Sequence, residues 1–227
     1  MQSVKYILQA LYVLRSHHRP LVMLIALILL LALSMGGENV SVLSFFLPVL
    51  LLVFALPLVY GRYAELVVYN RHSPYSQIFQ THWFNFIAVN IILGVPVLFF
   101  TMLAGSTGGL QWVGSILPVA VDIAAIYMIP LVFISREKWG SIVLGFKCLI
   151  GNAEDSVPLA VLTAIPSILA LMAGQGTEPT GGPFITVFLP FLVVITDLIV
   201  FVAATLILKE KLLVSGKVPG KETNPRS

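Results

Sequence analysis

Six long apolar runs limit how this chain can fold. A helix needs about 20 apolar residues to cross the hydrocarbon core of a bilayer. The runs cover residues 21–35, 42–60, 83–104, 114–135, 157–173 and 184–208. Lipid offers no partner to an unpaired backbone N–H or C=O group, so a spanning segment must be a helix or part of a closed barrel. Because the runs lack the alternation of barrel strands, the sequence predicts an all-α polytopic membrane protein with six transmembrane helices.

The composition agrees with a membrane protein. Hydrophobic residues make up 58% of the chain and charged residues 10%, against about 45–50% and about 25% in soluble domains. The net charge of +3 does not indicate nucleic-acid binding, because the basic residues are spread along the chain beside the apolar runs. We therefore expect the lipid bilayer as a partner, together with other membrane proteins or a second copy of the chain, and no nucleic acid.

The thirteen Lys and Arg residues lie in alternate segments of the chain. They precede the first run and follow the second, fourth and sixth, whereas the connections 36–41, 105–113 and 174–183 carry none. Cytoplasmic segments carry the excess of basic residues, so both termini are expected in the cytoplasm and the spans pair into three hairpins. Ala32-Leu33-Ser34 is typical of a signal-peptide cleavage site. We nevertheless expect an uncleaved first span, because residues 1–20 have their own hydrophobic pattern.

The sequence also suggests an internal repeat. A Leu-Pro pair recurs in the second, fourth and sixth spans, with Pro48, Pro118 and Pro190 separated by 70 and 72 residues. This pattern predicts repeat units 1–70, 71–138 and 139–211 in one bundle, 1–211, related by an axis along the membrane normal. Chance recurrence of a common pair is the alternative. The C-terminal tail, residues 212–227, shows no helical repeat of apolar residues and is expected to be disordered.

An amphipathic segment precedes each hairpin. A helix with one apolar face and basic flanks lies in the headgroup plane, so we expect three interfacial helices; the alternative is that these segments lengthen the adjoining spans. The apolar stripes are Val4, Ile7, Leu8, Leu11 and Leu14 in the first, Tyr75, Ile78, Phe79 and His82 in the second, and Trp139, Ile142, Val143, Phe146, Leu149 and Ile150 in the third.

Two carboxylates, Asp122 and Asp197, lie inside predicted spans. A charge at mid-bilayer costs at least about 3 kcal/mol, so such a residue normally faces the bundle interior or water. Asn85, Asn90 and Thr205 add further polar groups within the spans. These candidate residues suggest either a proton or cation path, or interhelical hydrogen bonds that hold the bundle together.

The sequence shows no catalytic, cofactor-binding or metal-binding pattern. Cys148 is the single cysteine, and the four histidines are not spaced as metal ligands. Neither a nucleophile elbow nor a Gly-rich phosphate loop is present. We therefore expect no cofactor, no metal and no enzymatic activity.

Residues 136–152 read REKWGSIVLGFKCLIGN. Ser141, Phe146 and Gly151-Asn152 match a Ser/Ala-x-x-x-x-Phe/Trp-x-x-x-x-Gly-Asn pattern, in which an interfacial helix leads into a span. The segment resembles uncharacterised bacterial six-span membrane proteins and is similar to the membrane domain of glycerophosphodiester phosphodiesterases. The resemblance implies the architecture and a bacterial inner membrane, and it carries over no catalytic residue. The function expected from the sequence is a non-enzymatic accessory, scaffold or assembly factor; the alternative is a small transporter or channel with an intramembrane carboxylate path.

Overall fold

The structure, a computed structural model, describes residues 2–35, 42–106, 111–135, 138–174 and 183–213. Throughout these ranges the regular elements are helices and there is no strand, which confirms the prediction of an all-α protein. The helices are α1 (Gln2–Ser16), α2 (His18–Met35), α3 (Val42–Tyr69), α4 (Tyr75–Ser106), α5 (Gln111–Ala125), α6 (Met128–Ser135), α7 (Lys138–Gly151), α8 (Ala153–Gly174) and α9 (Pro183–Leu208), which continues into a π-helical turn, Lys209–Leu213.

Four segments are long and apolar enough to cross a membrane: Val49–Tyr69, Tyr75–Ala104, Ile116–Ser135 and Phe188–Lys211. The number rises to six if each of two bent helix pairs counts as one span. The pair formed by Ser3–Ser16 and Arg19–Leu31 bends by 83°, and the pair formed by Trp139–Gly151 and Ala153–Leu169 bends by 106°. These segments indicate a membrane-embedded helical protein.

Proline determines where two of the helices break. A proline lacks an N–H group and its ring clashes with the carbonyl four residues before it. Accordingly, α1 ends at Ser16, which lies four residues before Pro20. Helix α5 ends at Ala125, and the next residue, Ile126, lies four residues before Pro130. The fourth predicted span is therefore two helices, α5 and α6, joined by a turn at Ile126 and Tyr127.

The break between α7 and α8 has a different cause. It falls at Asn152, directly after Gly151. The Asn152 amide side chain donates to the Cys148 carbonyl oxygen at 2.8 Å, and the Asn152 carbonyl oxygen accepts from the backbone N–H of Ser156 at 2.9 Å. Asn152 thus terminates one helix and begins the next, and it supplies hydrogen bonds to both ends.

The prediction of a separate interfacial helix in the second unit is wrong. Residues from Tyr75 onward form one continuous helix of 32 residues, α4. The physical reason is that no proline lies between Pro74, which precedes the helix, and Pro96. Helix α3 also extends nine residues beyond the predicted end of its span, to Tyr69, and therefore includes Arg62.

Helices α1 and α7 present most of their predicted apolar stripes outward, but Leu14 of the α1 stripe is buried. On α1 the side chains of Ser3, Tyr6, Ala10 and Leu14 are buried against the bundle, whereas Val4, Leu8 and Leu11 are exposed. On α7 the buried face consists of Ser141, Gly145 and Cys148, and the exposed face carries Trp139, Val143, Phe146 and Ile150. Small residues face the bundle on α7, a mixture of small and large residues does so on α1, and most of each apolar stripe remains available to lipid.

The segments that carry the basic residues meet at one end of the bundle, which we call the basic end. The Tyr63 hydroxyl donates to the His17 carbonyl oxygen at 2.8 Å, which joins α3 to the α1–α2 junction. Arg62 donates to the Ser73 carbonyl oxygen at 2.7 Å and closes the α3–α4 connection. Lys209 at the end of α9 donates to the Val67 carbonyl oxygen at 2.7 Å. The alternate basic segments are thus neighbours in space.

A polar cluster ties the C-terminal end of α9 to the rest of the basic end. Lys211 Nζ lies 2.6 Å from Asp155 Oδ2 and 2.7 Å from Asn152 Oδ1 at the α7–α8 junction. The Tyr6 hydroxyl on α1 donates to Glu210 Oε2 at 2.8 Å. Both contacts are charge-assisted hydrogen bonds, which are stronger than neutral ones.

The hydrophobic core surrounds α9, which packs against α1, α2, α3, α6 and α8. The most deeply buried side chains of this core lie toward the basic end: Tyr63, Tyr127, Leu131, Val202, Ala203, Ala204 and Ile207. The second half of α4 is exposed instead. The division into repeat units stays a prediction, and residues 214–227 of the predicted tail lie outside the described residues.

Candidate functional site

A cavity of about 380 Å³ lies between α3, α4, α5, α6, α8 and α9. It extends along α4 from Phe86 to Val97, a rise of roughly 16 Å along the helix axis. Its volume falls within the range of about 300–1,000 Å³ that is usual for small-molecule sites. Ile126, which lies in the turn between α5 and α6, and Pro130 both line the cavity, so the α5–α6 break helps to form it.

Both predicted intramembrane carboxylates line this cavity. Asp122 comes from α5 and is exposed, whereas Asp197 comes from α9 and is half-buried. Within the described residues, no side chain or backbone group forms a hydrogen bond or an ion pair with either carboxyl group. The structure therefore brings two acidic side chains from different helices into one space that is open to the surroundings at Asp122.

Two neutral polar side chains also line the cavity, Asn90 on α4 and Thr163 on α8. The Asn90 amide donates to the Phe86 carbonyl oxygen at 2.8 Å, and the Thr163 hydroxyl donates to the Leu159 carbonyl oxygen at 3.0 Å. Each thus directs a donor to its own helix four residues back, and the Asn90 Oδ1 and Thr163 Oγ1 atoms retain lone pairs as acceptors.

The sequence predicted Asn90 but not Thr163. A threonine in an apolar run usually bonds to the preceding turn of its own helix, and Thr163 does so here, so its type alone carries no signal. Its position between Pro158 and Pro166 in α8 was the available signal, because prolines often border a functional region of a membrane helix.

The cavity lining does not include Asn85 or Thr205. Thr205 is fully buried, and its hydroxyl donates to the Phe201 carbonyl oxygen at 2.7 Å. Asn85 is half-buried on α4, one turn closer to the basic end than Asn90. Of the five polar residues that the sequence predicts, the structure brings together Asp122, Asp197 and Asn90 only.

Aromatic rings close the cavity toward the basic end. Tyr60, Phe86 and Phe201 belong to the lining, and the Tyr60 and Phe201 rings meet edge to face with centroids 4.5 Å apart. The Phe133 ring lies behind them, 5.7 Å from both Phe86 and Phe201. We call Tyr60, Phe86 and Phe201 the aromatic floor.

The chemical groups of the cavity are acidic and neutral oxygen-bearing side chains. In the part of the chain that the structure describes, no group of three or more His, Cys, Asp or Glu side chains is placed to hold a metal ion. The Cys148 thiol is buried in α7 and does not line the cavity. What the cavity offers is negative charge and oxygen acceptors, which suit a cation or an exchangeable proton.

No protein-family model matches the sequence, and comparisons with curated proteins and with solved structures find no match.

Proposed function

We propose that the chain is a non-enzymatic membrane transport protein that binds a cation between Asp122 and Asp197. The observation that carries this proposal is the position of both carboxylates, from different helices, on the wall of one cavity. An isolated charge in a bilayer is expensive, and intramembrane acidic residues typically mark ion or substrate pathways. A monovalent cation together with one proton would neutralise both.

The proposed topology has six spans in three hairpins, with α1 and α7 at the membrane surface and both termini in the cytoplasm. The positive-inside rule gives the orientation, and the contacts that join the basic segments at one end of the bundle support it. In this orientation the aromatic floor lies on the cytoplasmic side of Asp122 and Asp197. The resemblance of residues 136–152 suggests a bacterial inner membrane.

Reporter fusions at six positions test this topology. A reporter active only in the periplasm should be active when fused after Glu38, Gly108 or Glu178, and inactive after Arg71, Lys147 or Lys217. A single reversed site in the full-length protein would contradict the six-span arrangement, because the orientation of every later span depends on it.

Transport through the cavity requires a change in the aromatic floor. A cation that reaches Asp122 from the open side meets Asp197 next, and beyond it the packed rings of Tyr60, Phe86 and Phe201. Passage to the cytoplasmic side would need displacement of these rings, of Phe133 behind them and of the packed core beyond. Proton exchange at the two carboxyl groups would then couple entry of a cation to exit of a proton.

Asp→Asn variants test the transport function. Asparagine keeps the shape of aspartate and one acceptor but cannot ionise. In proteoliposomes with an imposed membrane potential, the wild-type protein should conduct H⁺, Na⁺ or K⁺, and Asp122→Asn or Asp197→Asn should reduce that flux by at least about tenfold, since each removes an interaction worth about 1.4 kcal/mol or more. Glu154→Gln is the matched control, because Glu154 is an exposed acidic residue outside the cavity. Unchanged flux in the double Asp variant, or no flux in the wild type, would overturn the proposal.

The second candidate is an accessory, scaffold or assembly factor. The exposed apolar flank of α4, which includes Phe84, Ile91, Val95, Leu98 and Phe99, favours it, because such a face suits a helix of another membrane protein or a second copy. In that role the two carboxyls contribute hydrogen bonds of at most about 1–2 kcal/mol each. Cellular activity would then survive the double Asp variant and fail when polar residues replace Val95 and Phe99.

A further inference from the structure

The described polar atoms of the cavity favour positive charge. Asp122 and Asp197 contribute carboxylate oxygens, and Asn90 and Thr163 direct their donors to backbone carbonyls and retain acceptor lone pairs. No Lys or Arg side chain belongs to the lining. An anion would find as donors only the Tyr60 hydroxyl and the second N–H of the Asn90 amide, whereas a cation finds oxygen acceptors from α4, α5, α8 and α9, two of which are carboxylates.

The aromatic floor adds a second preference for positive charge. The face of an aromatic ring carries a negative quadrupole and attracts a cation within about 6 Å of the ring centroid. Three rings, those of Tyr60, Phe86 and Phe201, line the end of the cavity next to Asp197. This attraction is strongest for weakly hydrated organic cations such as substituted ammonium groups, which can contact a ring without losing a tight water shell.

The remaining walls are apolar. Leu56, Leu93, Val97 and Ile129 are among the residues that complete the lining. A dehydrated divalent ion needs about six to eight oxygen ligands, and only two acidic side chains, Asp122 and Asp197, belong to the described lining. A cavity of about 380 Å³ with apolar walls and few acceptors is instead suited to a molecule with apolar substituents and one positive charge.

We infer that the cation bound in this cavity is organic: a lipophilic ammonium or phosphonium ion whose charge lies near Asp122 and Asp197 and whose apolar groups contact the aromatic floor. The inference rests on the proposed function, because it assigns a substrate class to the same cavity. It adds a role for Tyr60, Phe86 and Phe201, which bind through their ring faces.

Tetraphenylphosphonium and tetraphenylborate provide the test, because the two ions share their shape and differ in the sign of their charge. Equilibrium dialysis of the purified full-length protein in detergent measures the binding of each. Tetraphenylphosphonium should bind saturably, and tetraphenylborate should show only the unsaturable uptake of detergent micelles. Asp122→Asn and Asp197→Asn should each weaken binding of tetraphenylphosphonium by at least about tenfold, whereas Glu154→Gln should leave it unchanged.

A matched pair of variants at Tyr60 tests the aromatic floor. Tyr60→Phe keeps the ring and should retain binding within about a factor of two, whereas Tyr60→Leu removes the ring and should weaken binding by about two- to thirtyfold. The two variants differ in the ring alone, so a loss of affinity in both would contradict a role for the ring face. Thermal unfolding of each variant shows whether it is folded; the reaction of the buried Cys148 thiol with a labelling reagent is the readout during heating.

The outcomes separate this inference from the proposed function. If tetraphenylphosphonium does not bind, or binds no better than tetraphenylborate, while H⁺ or Na⁺ flux still depends on Asp122 and Asp197, the organic substrate class is wrong and the transport function stands. If binding survives both Asp→Asn changes, the ion lies outside this cavity and the inference fails. If the wild type shows neither binding nor flux, both proposals fall.

Discussion

Replacing Gly145 by alanine should weaken the packing of α7 against α6. A Cβ atom built on Gly145 would lie 2.6 Å from Met128 Cγ, 2.8 Å from Met128 Cα and 2.9 Å from the Met128 backbone nitrogen. Carbon atoms in contact prefer separations of about 3.5–4.0 Å, so the helices would have to separate by about 1 Å. A new rotamer of Met128 cannot relieve this overlap, because two of the three nearest atoms belong to its backbone.

The magnitude follows from two opposing effects. Overpacking of this kind costs about 1–3 kcal/mol, and alanine in a helix interior gains up to about 1 kcal/mol over glycine. Gly94→Ala is the matched control, because Gly94 lies inside α4 and its Cβ would meet nothing within 4 Å beyond the neighbouring backbone of its own helix. It should show the helix gain alone. Gly145→Ala should therefore be about 1–3 kcal/mol less stable than Gly94→Ala, which corresponds to several degrees Celsius in Tm for a chain of this size.

The single cysteine provides the assay. Cys148 lies on α7, three residues from Gly145, and is buried in the folded protein. A thiol-reactive fluorophore reports its exposure as the detergent-solubilised protein is heated, and circular dichroism measures the loss of helix in parallel. Equal transition temperatures for Gly145→Ala and Gly94→Ala would refute the argument, because they would show that α6 and α7 do not approach as closely as the contact with Met128 requires.

Two further predictions concern the polar cluster at the basic end. Lys211→Met should lower the free energy of unfolding by about 1–2 kcal/mol, because it removes charge-assisted hydrogen bonds from a partly exposed lysine. A double-mutant cycle with Asp155→Asn should give a coupling energy of about 1 kcal/mol that decreases in 1 M salt; additive effects of the two changes would contradict a direct interaction. Tyr6→Phe should lower the free energy of unfolding by about 1 kcal/mol, because the hydrogen bond to Glu210 is lost. The same change at the exposed Tyr12 of α1 should have no effect on thermal unfolding, and equal effects at the two tyrosines would contradict the contact between Tyr6 and Glu210.

The sequence predicted the helices well because their determinants are local. Apolar runs of sufficient length must be helical in lipid, and the effect of Pro20 on α1 follows from the chemistry of one residue. The same chemistry acts at the α5–α6 break before Pro130, but Pro96, Pro118 and Pro190 lie inside continuous helices, so a proline alone does not predict a break. The uniform apolar character of residues 114–135 obscured that break, since hydropathy is insensitive to a turn whose residues are themselves apolar.

The arrangement of the site could be predicted only in part. The cost of a charge in lipid predicts that Asp122 and Asp197 face the bundle interior or water, but whether two helices turn these residues toward the same space depends on packing between distant segments. Thr205 shows the limit: it lies eight residues after Asp197 on the same helix, yet it faces the packed core near Phe201 instead of the cavity. The aromatic floor was missed for the same reason, because phenylalanine and tyrosine occur throughout the apolar runs.

The hydrogen bond between Tyr6 and Glu210 joins residues that are 204 positions apart. The chain is synthesised from its N-terminus, so α1 emerges long before α9, the helix that covers its inner face. During that interval Tyr6, Ala10 and Leu14 have no α9 to pack against. Completion of the core is thus a late, post-insertion step of biogenesis, and a ribosome that stalls before α9 would leave an early helix with an uncovered surface that quality-control proteases could recognise.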